Sequence, residues 1–372
     1  MLDMYILTLT ISLALGVGGT VALIGLSRTE RFLGLFHVRG VLERPRWGGV
    51  VFLLAFAATP YIASAFSAHA TEIFTPRSGS FAGFLAAAGL VFAVGFLDDV
   101  RLTSPLLRSA VFLGAGAAVY AADYRIEDVG FPLGPSLDLG PVLGFAATIS
   151  WIWLTTNAFN TIDGRDGVSL GVGILAAITL AAVAAHSHHP AVALLLVAMA
   201  GAGLGFLPFN LPPATVFIGD SGANVMGFII GALAIRGATG PAGDIFIAVP
   251  IIALGFPILD IGLAFTRRLL HFRHPLIGDT DHIHHRLETA GAGPRGLLAI
   301  IWGIAGVFSV GAIVLHWVDS TWIEGTVFVA VIATVGVTLL RLGYIVTLWN
   351  SHSIVWVRQR FFEPDEMQTR GE

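Results

Sequence analysis

Read for polarity alone, the chain is a series of long apolar runs separated by short polar turns. Eleven runs have roughly the 20-residue length that crosses a bilayer as a helix. They lie near 4–25, 48–66, 81–97, 106–122, 141–156, 168–185, 190–207, 222–236, 245–265, 297–316 and 322–345. None alternates polar and apolar at every second residue, as an outer-membrane strand would, so helices are the spans the pattern supports. The expected fold class is all-α: a polytopic integral membrane protein of about eleven transmembrane helices. No stretch is polar enough for a soluble domain. Residues 1–350 therefore read as one transmembrane domain and 351–372 as a C-terminal tail. The opening "MLDMYILTLTISLALGVGGT" has no basic stretch before its apolar run and no clear cleavage site, so it reads as the first span.

Composition agrees. Only 12% of the residues are charged, against about 25% in soluble domains. The absence of Cys excludes disulfides and Cys-ligated metals. The net charge of −4 gives no reason to expect a nucleic-acid partner. All basic residues are Arg, and their placement is lopsided. With eleven alternating spans, one side carries Arg28, Arg31, Arg39, Arg44, Arg46, Arg101, Arg108, Arg165, Arg267, Arg268, Arg273, Arg286 and Arg295. The other carries Arg77, Arg125 and Arg236. By the positive-inside rule the first side is cytoplasmic, with the N-terminus outside and the C-terminus inside. On the outer side, 123–140 reads as a plain Gly/Pro-rich connector and "HSHHP" (186–190) as a solvated turn.

Four polar clusters fall on the cytoplasmic side, although the Arg count did not use them: "GFLDDVR" (95–101), "NAFNTIDGRDGVSLG" (157–171), "FIGDSGAN" (217–224) and "DTDHIHHRL" (279–287). For Asp98 and Asp99 alone, a solvated helix end is the simpler reading. For Asp220 alone it is a helix N-cap, although N-terminal N–H groups also attract phosphate. Asn160, Asp163 and Asp166 recur every third residue and share a helix face if the fifth span continues. Such oxygen ligands suit Mg²⁺, which takes carboxylates, waters and substrate phosphates. His282, His284 and His285 invite a zinc reading, but no Cys or HExxH arrangement accompanies them. Beside Arg267, Arg268 and Arg286 they read instead as an anion clamp for phosphate oxygens. Cation ligands plus anion ligands at a membrane surface are equipment for phosphoryl transfer, and the setting suggests a lipid phosphate as one substrate.

The motif series resembles the polyprenyl-phosphate N-acetylhexosamine-1-phosphate transferase superfamily. "PRWGG" (45–49) is similar to its early element and "LDDV" to its Asp-Asp motif. "NAFNTIDGRDG" fits NxxNxxDGxDG throughout, and "GDSG" and "HIHHRL" complete the order. The His element resembles the WecA/TagO-like branch more than the phospho-N-acetylmuramoyl-pentapeptide transferase type, which is the alternative. Arg165 departs from the pattern, standing where Leu is usual. The resemblance implies transfer of N-acetylhexosamine 1-phosphate, GlcNAc 1-phosphate first among candidates, from a UDP-sugar to undecaprenyl phosphate, with release of UMP. It implies Mg²⁺, or Mn²⁺ in its place, on Asn160 and Asp220, and a catalytic pair Asp98–Asp99. It implies substrate contacts from Arg46, Asn157, Asp163, Asp166, Arg268, His282, His284, His285 and Arg286. The partners are a UDP-N-acetylhexosamine, undecaprenyl phosphate and the bilayer of a bacterial inner membrane, with homodimerisation left open. A transporter or flippase is the rival from another class; its polar groups would sit near mid-bilayer.

Overall fold

The computed structural model describes residues 1–28, 45–74, 78–131, 134–239, 245–272, 281–318 and 320–349. The tail at 351–372 lies outside them. Apolar runs become helices: α1 (Leu2–Ser27), α2 (Gly48–Phe66), a short α3 (Ala68–Phe74), α4 (Ser78–Val100), α5 (Pro105–Ala121), α6 (Gly140–Ile162), α7 (Val168–His186), α8 (Pro190–Asn210) and α9 (Gly219–Gly237). There follow α10 (Ala248–Ala253), α11 (Gly255–Leu270), α12 (Ile283–Thr289), α13 (Pro294–Trp317), α14 (Thr321–Arg341) and α15 (Tyr344–Trp349). Starts are marked as expected from elementary capping. Pro opens α5, α6, α8 and α13, where its missing N–H costs nothing. Ser104 caps α5 by accepting from Leu107 N at 3.2 Å.

Eight of these helices, α1, α2, α4, α6, α7, α8, α13 and α14, are long and apolar enough to cross a membrane among the described residues. The other three expected spans are helical too, but each differs. α5 is shorter, at 17 residues. α9 carries Asp220, Ser221 and Asn224 in its first turns and is almost wholly enclosed by its neighbours. The 245–265 stretch divides at Leu254 into α10 and α11. Pro257, in the first turn of α11, has no N–H to continue the earlier ladder.

α7, α8 and α9 form the centre. α1 lies along α8, where Gly16, Gly201 and Gly205 bring the two backbones together, the close approach favoured between helices in lipid. α9 is gripped by α4 and α6, and α14 sits at the periphery against α13. The connector at 123–140 contains structure that its composition concealed. β1 (Asp128–Phe131) pairs antiparallel with β2 (Gly134–Asp138), Val129 opposite Leu137, and parallel with β3 (Ile245–Phe246). The expected solvated turn at 186–190 is partly engaged as well: His186 meets the rings of His316 and Trp317, and His189 Nε2 lies 3.0 Å from Thr239 O.

Candidate active site

The C-terminal ends of α4 and α6 meet the N-terminal end of α9. At that junction Asp98, Asp99, Asn160, Asp163 and Asp220 come together from three separate parts of the sequence. The segment 45–49 joins them through its backbone. Phe217 N donates to Pro45 O at 3.0 Å, Gly48 N to Phe217 O at 3.0 Å, and Gly49 N to Ile218 O at 2.8 Å. These bonds place Arg46 beside the start of α9.

Asp99 accepts from Asp220 N at 2.8 Å and Ser221 N at 3.0 Å. It is a cap for α9 supplied by another helix, because α9 has no side-chain cap of its own. The dipole argument is thereby reversed: Asp99 ends α4, but it faces the favourable positive end of α9. Gly219 makes this possible. Its φ is +74°, and a Cβ there would lie 2.8 Å from both Asp99 carboxylate oxygens.

Asp98 also meets the Asp220 side chain, but it is held by different partners. Its carboxylate accepts from Thr103 N at 2.6 Å, Thr103 Oγ1 at 2.7 Å and Arg108 Nη1 at 2.8 Å, and it is 5% exposed. The two neighbours in sequence therefore have different surroundings. Asn160 Nδ2 donates to Asp220 Oδ1 at 2.9 Å, tying α6 to α9. Asp163 accepts a hydrogen bond from Ser169 Oγ. Burial, together with the facing carboxylates of Asp220 and Asp99, holds Asp163 well above the ordinary carboxyl range, against the pull of Ser169 and Arg46.

Of these groups Asp163 and Asp220, with Arg46, border a cavity of about 340 Å³ that is also lined by Asp166, Asn210 and Phe217. Asp166 Oδ2 accepts from Ala214 N at 2.9 Å, and Asn210 Oδ1 accepts from Gly167 N at 3.0 Å. The α6–α7 turn is thus pinned to the α8–α9 loop. Asn210 escaped the sequence reading, although a buried Asn ending an apolar helix was a signal. A second hollow of about 670 Å³ adjoins the first through Arg165 and Asp166 and extends to Pro212 and Arg295. Arg165 forms a bidentate ion pair with Glu288 of α12.

The histidines sit beside this turn. The rings of His284 and His285 are 4.2 Å apart, and His282 lies 5.7 Å from His284. His284 packs on Gly164, where any side chain would collide with the ring. Burial first, then the neighbouring His285, lowers the His284 pKa to about 4. It is therefore a neutral ring near neutral pH, which removes one positive charge from the expected anion clamp. The consequence for stability has a definite sign. Between about 4 and the ordinary 6.5 the unfolded chain binds a proton that the folded chain does not. Stability from this group is intact above 6.5 and is lost progressively as pH falls to about 4, on the order of 3 kcal/mol in full. His284→Gln is expected to flatten that acid-side loss in thermal unfolding followed from pH 7 to pH 4. An unchanged slope would refute the assignment.

Two expected contacts are directed elsewhere. Arg286 donates to Asp281 Oδ1 at 2.7 Å and to Leu342 O at 2.7 Å, and lies 3.8 Å over the Tyr344 ring. It braces α12 against the turn after α14. Asn157 Nδ2 donates back to Trp153 O at 2.7 Å within α6. Arg268 lies in the last turn of α11 and is not among the described residues that border the cavity. Among the described residues no three carboxylates or imidazoles form a ready metal cage. The oxygen set at the junction is nevertheless one Asp and one Asn joined to each other, with further carboxylates facing them.

The fold and site define a helical membrane protein with an acidic cavity at one end of its bundle, flanked by histidines. Residues 81–238 match glycosyl transferase family 4. A protein of Mycolicibacterium smegmatis named decaprenyl-phosphate N-acetylglucosaminephosphotransferase is 30% identical over 324 residues, covering 81% of this chain and 79% of that protein. A Bacillus subtilis protein named probable undecaprenyl-phosphate N-acetylglucosaminyl 1-phosphate transferase is 32% identical over 229 residues. That match covers 61% of this chain and 64% of the relative, a little under two thirds of its length. An Escherichia coli protein named undecaprenyl-phosphate alpha-N-acetylglucosaminyl 1-phosphate transferase is 26% identical over 267 residues, 69% of this chain and 72% of its own. The chain belongs to the polyprenyl-phosphate N-acetylhexosamine-1-phosphate transferase family, in its WecA/TagO-like branch.

Proposed function

We propose that the protein transfers N-acetylglucosamine 1-phosphate from its UDP-sugar to undecaprenyl phosphate, releasing UMP, at the cytoplasmic face of a bacterial inner membrane. The observation that supports this best is the acidic junction itself: Asp98, Asp99, Asp163 and Asp220 interact where three helices meet, Asp163 and Asp220 border the cavity, and Arg46 and Arg108 are among the nearby cations. Excess negative charge of this kind is costly unless a cation joins it. The names of the relatives supply the chemistry that the cation would serve.

In this reading an oxygen of the lipid phosphate attacks the phosphorus that bears the sugar. One P–O bond forms, and the bond from that phosphorus to UMP breaks. Asp220 and Asn160 would hold Mg²⁺, and Mn²⁺ would suit the same oxygen set; two protein ligands leave positions for waters and phosphates. When bound, the metal supplies charge neutralisation at the phosphates. The cavity of about 340 Å³ is of the size that takes a small ligand. Arg46 is placed to meet an anion there, while Asp163, Asp166 and Asn210 offer polar groups to the nucleotide. Arg108 and Thr103 fix Asp98. His282 and His285 stand near the same turn for phosphate oxygens. The phospho-N-acetylmuramoyl-pentapeptide alternative is disfavoured by "HIHHRL". A transporter is disfavoured because the polar groups gather at one end of the bundle.

A single experiment tests donor, reaction and orientation. UDP-sugars, including the muramoyl-pentapeptide form, are supplied to inverted and to right-side-out vesicles containing the protein, and UMP release is measured. UDP-sugars do not cross the bilayer. Release from UDP-GlcNAc in inverted vesicles alone is the expected result. Release from the pentapeptide donor alone would overturn the choice of donor, and release in right-side-out vesicles alone would overturn the orientation.

A further inference from the structure

The roles above make no use of Asp260, a carboxylate in the middle of α11 that is only 1% exposed. An isolated charge in that position needs partners. Among the described residues its hydrogen-bond partners are two, both at the start of α12. Asp260 Oδ1 accepts from Ile283 N at 2.8 Å, and Oδ2 lies 2.9 Å from His282 Nδ1. His282 is the N-cap residue of α12 and makes no side-chain cap of its own. Asp260 therefore caps α12 from another helix and grips the ring of the cap residue. A nitrogen facing a carboxylate at hydrogen-bond distance carries the proton, so Nδ1 is N–H, and the remaining ring nitrogen, Nε2, is the end left for a ligand.

We propose that Asp260 is a positioning residue for the sugar-phosphate transfer, acting through His282: it fixes the ring's orientation and tautomer and stabilises the positive ring when Nε2 is protonated against a phosphate oxygen. The inference rests on the functional reading above. The balance is simple. A proton shared between phosphate and Nε2 places charge on the ring, and the carboxylate behind Nδ1 compensates it without leaving its place. The same carboxylate sets the first turn of α12, and hence the placement of His284 on Gly164 and of Glu288 on Arg165. One buried side chain thus positions the whole histidine element beside the cavity.

Asp260→Asn separates these functions. The amide oxygen can still accept from Ile283 N, so the cap survives, but the amide N–H₂ now faces Nδ1 and favours the opposite tautomer. Turnover is expected to fall by roughly 10- to 100-fold, with the melting temperature and donor KM little changed. In a His282→Ala background the same substitution should cost nothing further, because its effect runs through that ring. Unchanged turnover in Asp260→Asn, or losses that multiply in the double variant, would overturn the proposal. The imidazole ¹⁵N signals of His282, identified by their disappearance in His282→Gln, give a reading that needs no substrate. Nδ1–H in the unaltered protein and a shift in Asp260→Asn support the proposal. Nε2–H in the unaltered protein defeats it, even if Asp260→Asn does not fold. A protein inactive on every UDP-sugar would refute the functional reading and leave this spectrum to decide the pairing.

Discussion

Asp220→Asn is expected to lower turnover by at least about 10²- to 10³-fold, the cost of removing a charge contact made in the transition state, and to raise the Mg²⁺ concentration needed for half-maximal rate. The geometry explains why an amide is a poor substitute. Asn160 Nδ2 already donates to Asp220 Oδ1 at 2.9 Å. An amide at 220 must keep its oxygen on that bond, which turns its N–H₂ toward the place where a cation would sit. The same change should make the metal-free protein more heat-stable, because the carboxylates of Asp98 and Asp163 no longer face a third negative charge. A rise in melting temperature with a loss of rate is the signature of a site that stores repulsion for a ligand. UMP release across a Mg²⁺ titration, beside thermal unfolding without metal, measures both. Near-normal turnover with unchanged Mg²⁺ dependence in a folded Asp220→Asn protein would remove Asp220 from the metal site.

The helices were legible because a bilayer leaves the backbone few choices, and ten of the eleven apolar runs each became one helix. The division at Leu254 was less visible, since Pro257 sits within a run whose hydropathy is otherwise continuous. The strands at 128–138 were hidden because pairing with Ile245–Phe246 is a long-range event that local composition does not record. In the site, residue types and their shared side of the bundle could be read, but partners could not. That Asp99 caps α9 while Asp98 binds Arg108 depends on which way each faces at the end of α4. Arg286 looked like part of an anion clamp because the sequence places it beside three histidines; Asp281 and Tyr344 claim it only in three dimensions. Asp260 did have a signal. A lone Asp inside "FPILDIGLAF" has no inexpensive place in an apolar helix, and it should have prompted a search for its partner.

Asp99→Ala is expected to cost about 1–2 kcal/mol of stability, as the loss of a helix cap does, and to reduce turnover by about 10²-fold through displacement of Asp220. The family resemblance implies that Asp98 and Asp99 are one catalytic pair, and if that pair served the lipid phosphate either substitution should spare the binding of UDP-sugar. The structure separates them. Both Asp99 oxygens are spent on the N–H groups of Asp220 and Ser221, the first turn of the helix that carries the proposed metal ligand. Without them two N–H donors at the start of α9 are orphaned, and the Asp220 backbone is no longer held. Donor binding should therefore weaken together with turnover. Asp99→Asn keeps one acceptor and should lie between the unaltered protein and Asp99→Ala in melting temperature, donor affinity and rate. A carboxylate acting on the reacting atoms predicts a different order: Asn and Ala equally inactive, with donor affinity intact. Calorimetric titration of UDP-GlcNAc into the two variants distinguishes the cases, because a cap is a matter of accepting hydrogen bonds, which an amide oxygen can do, whereas charge at the reaction centre is lost equally in both.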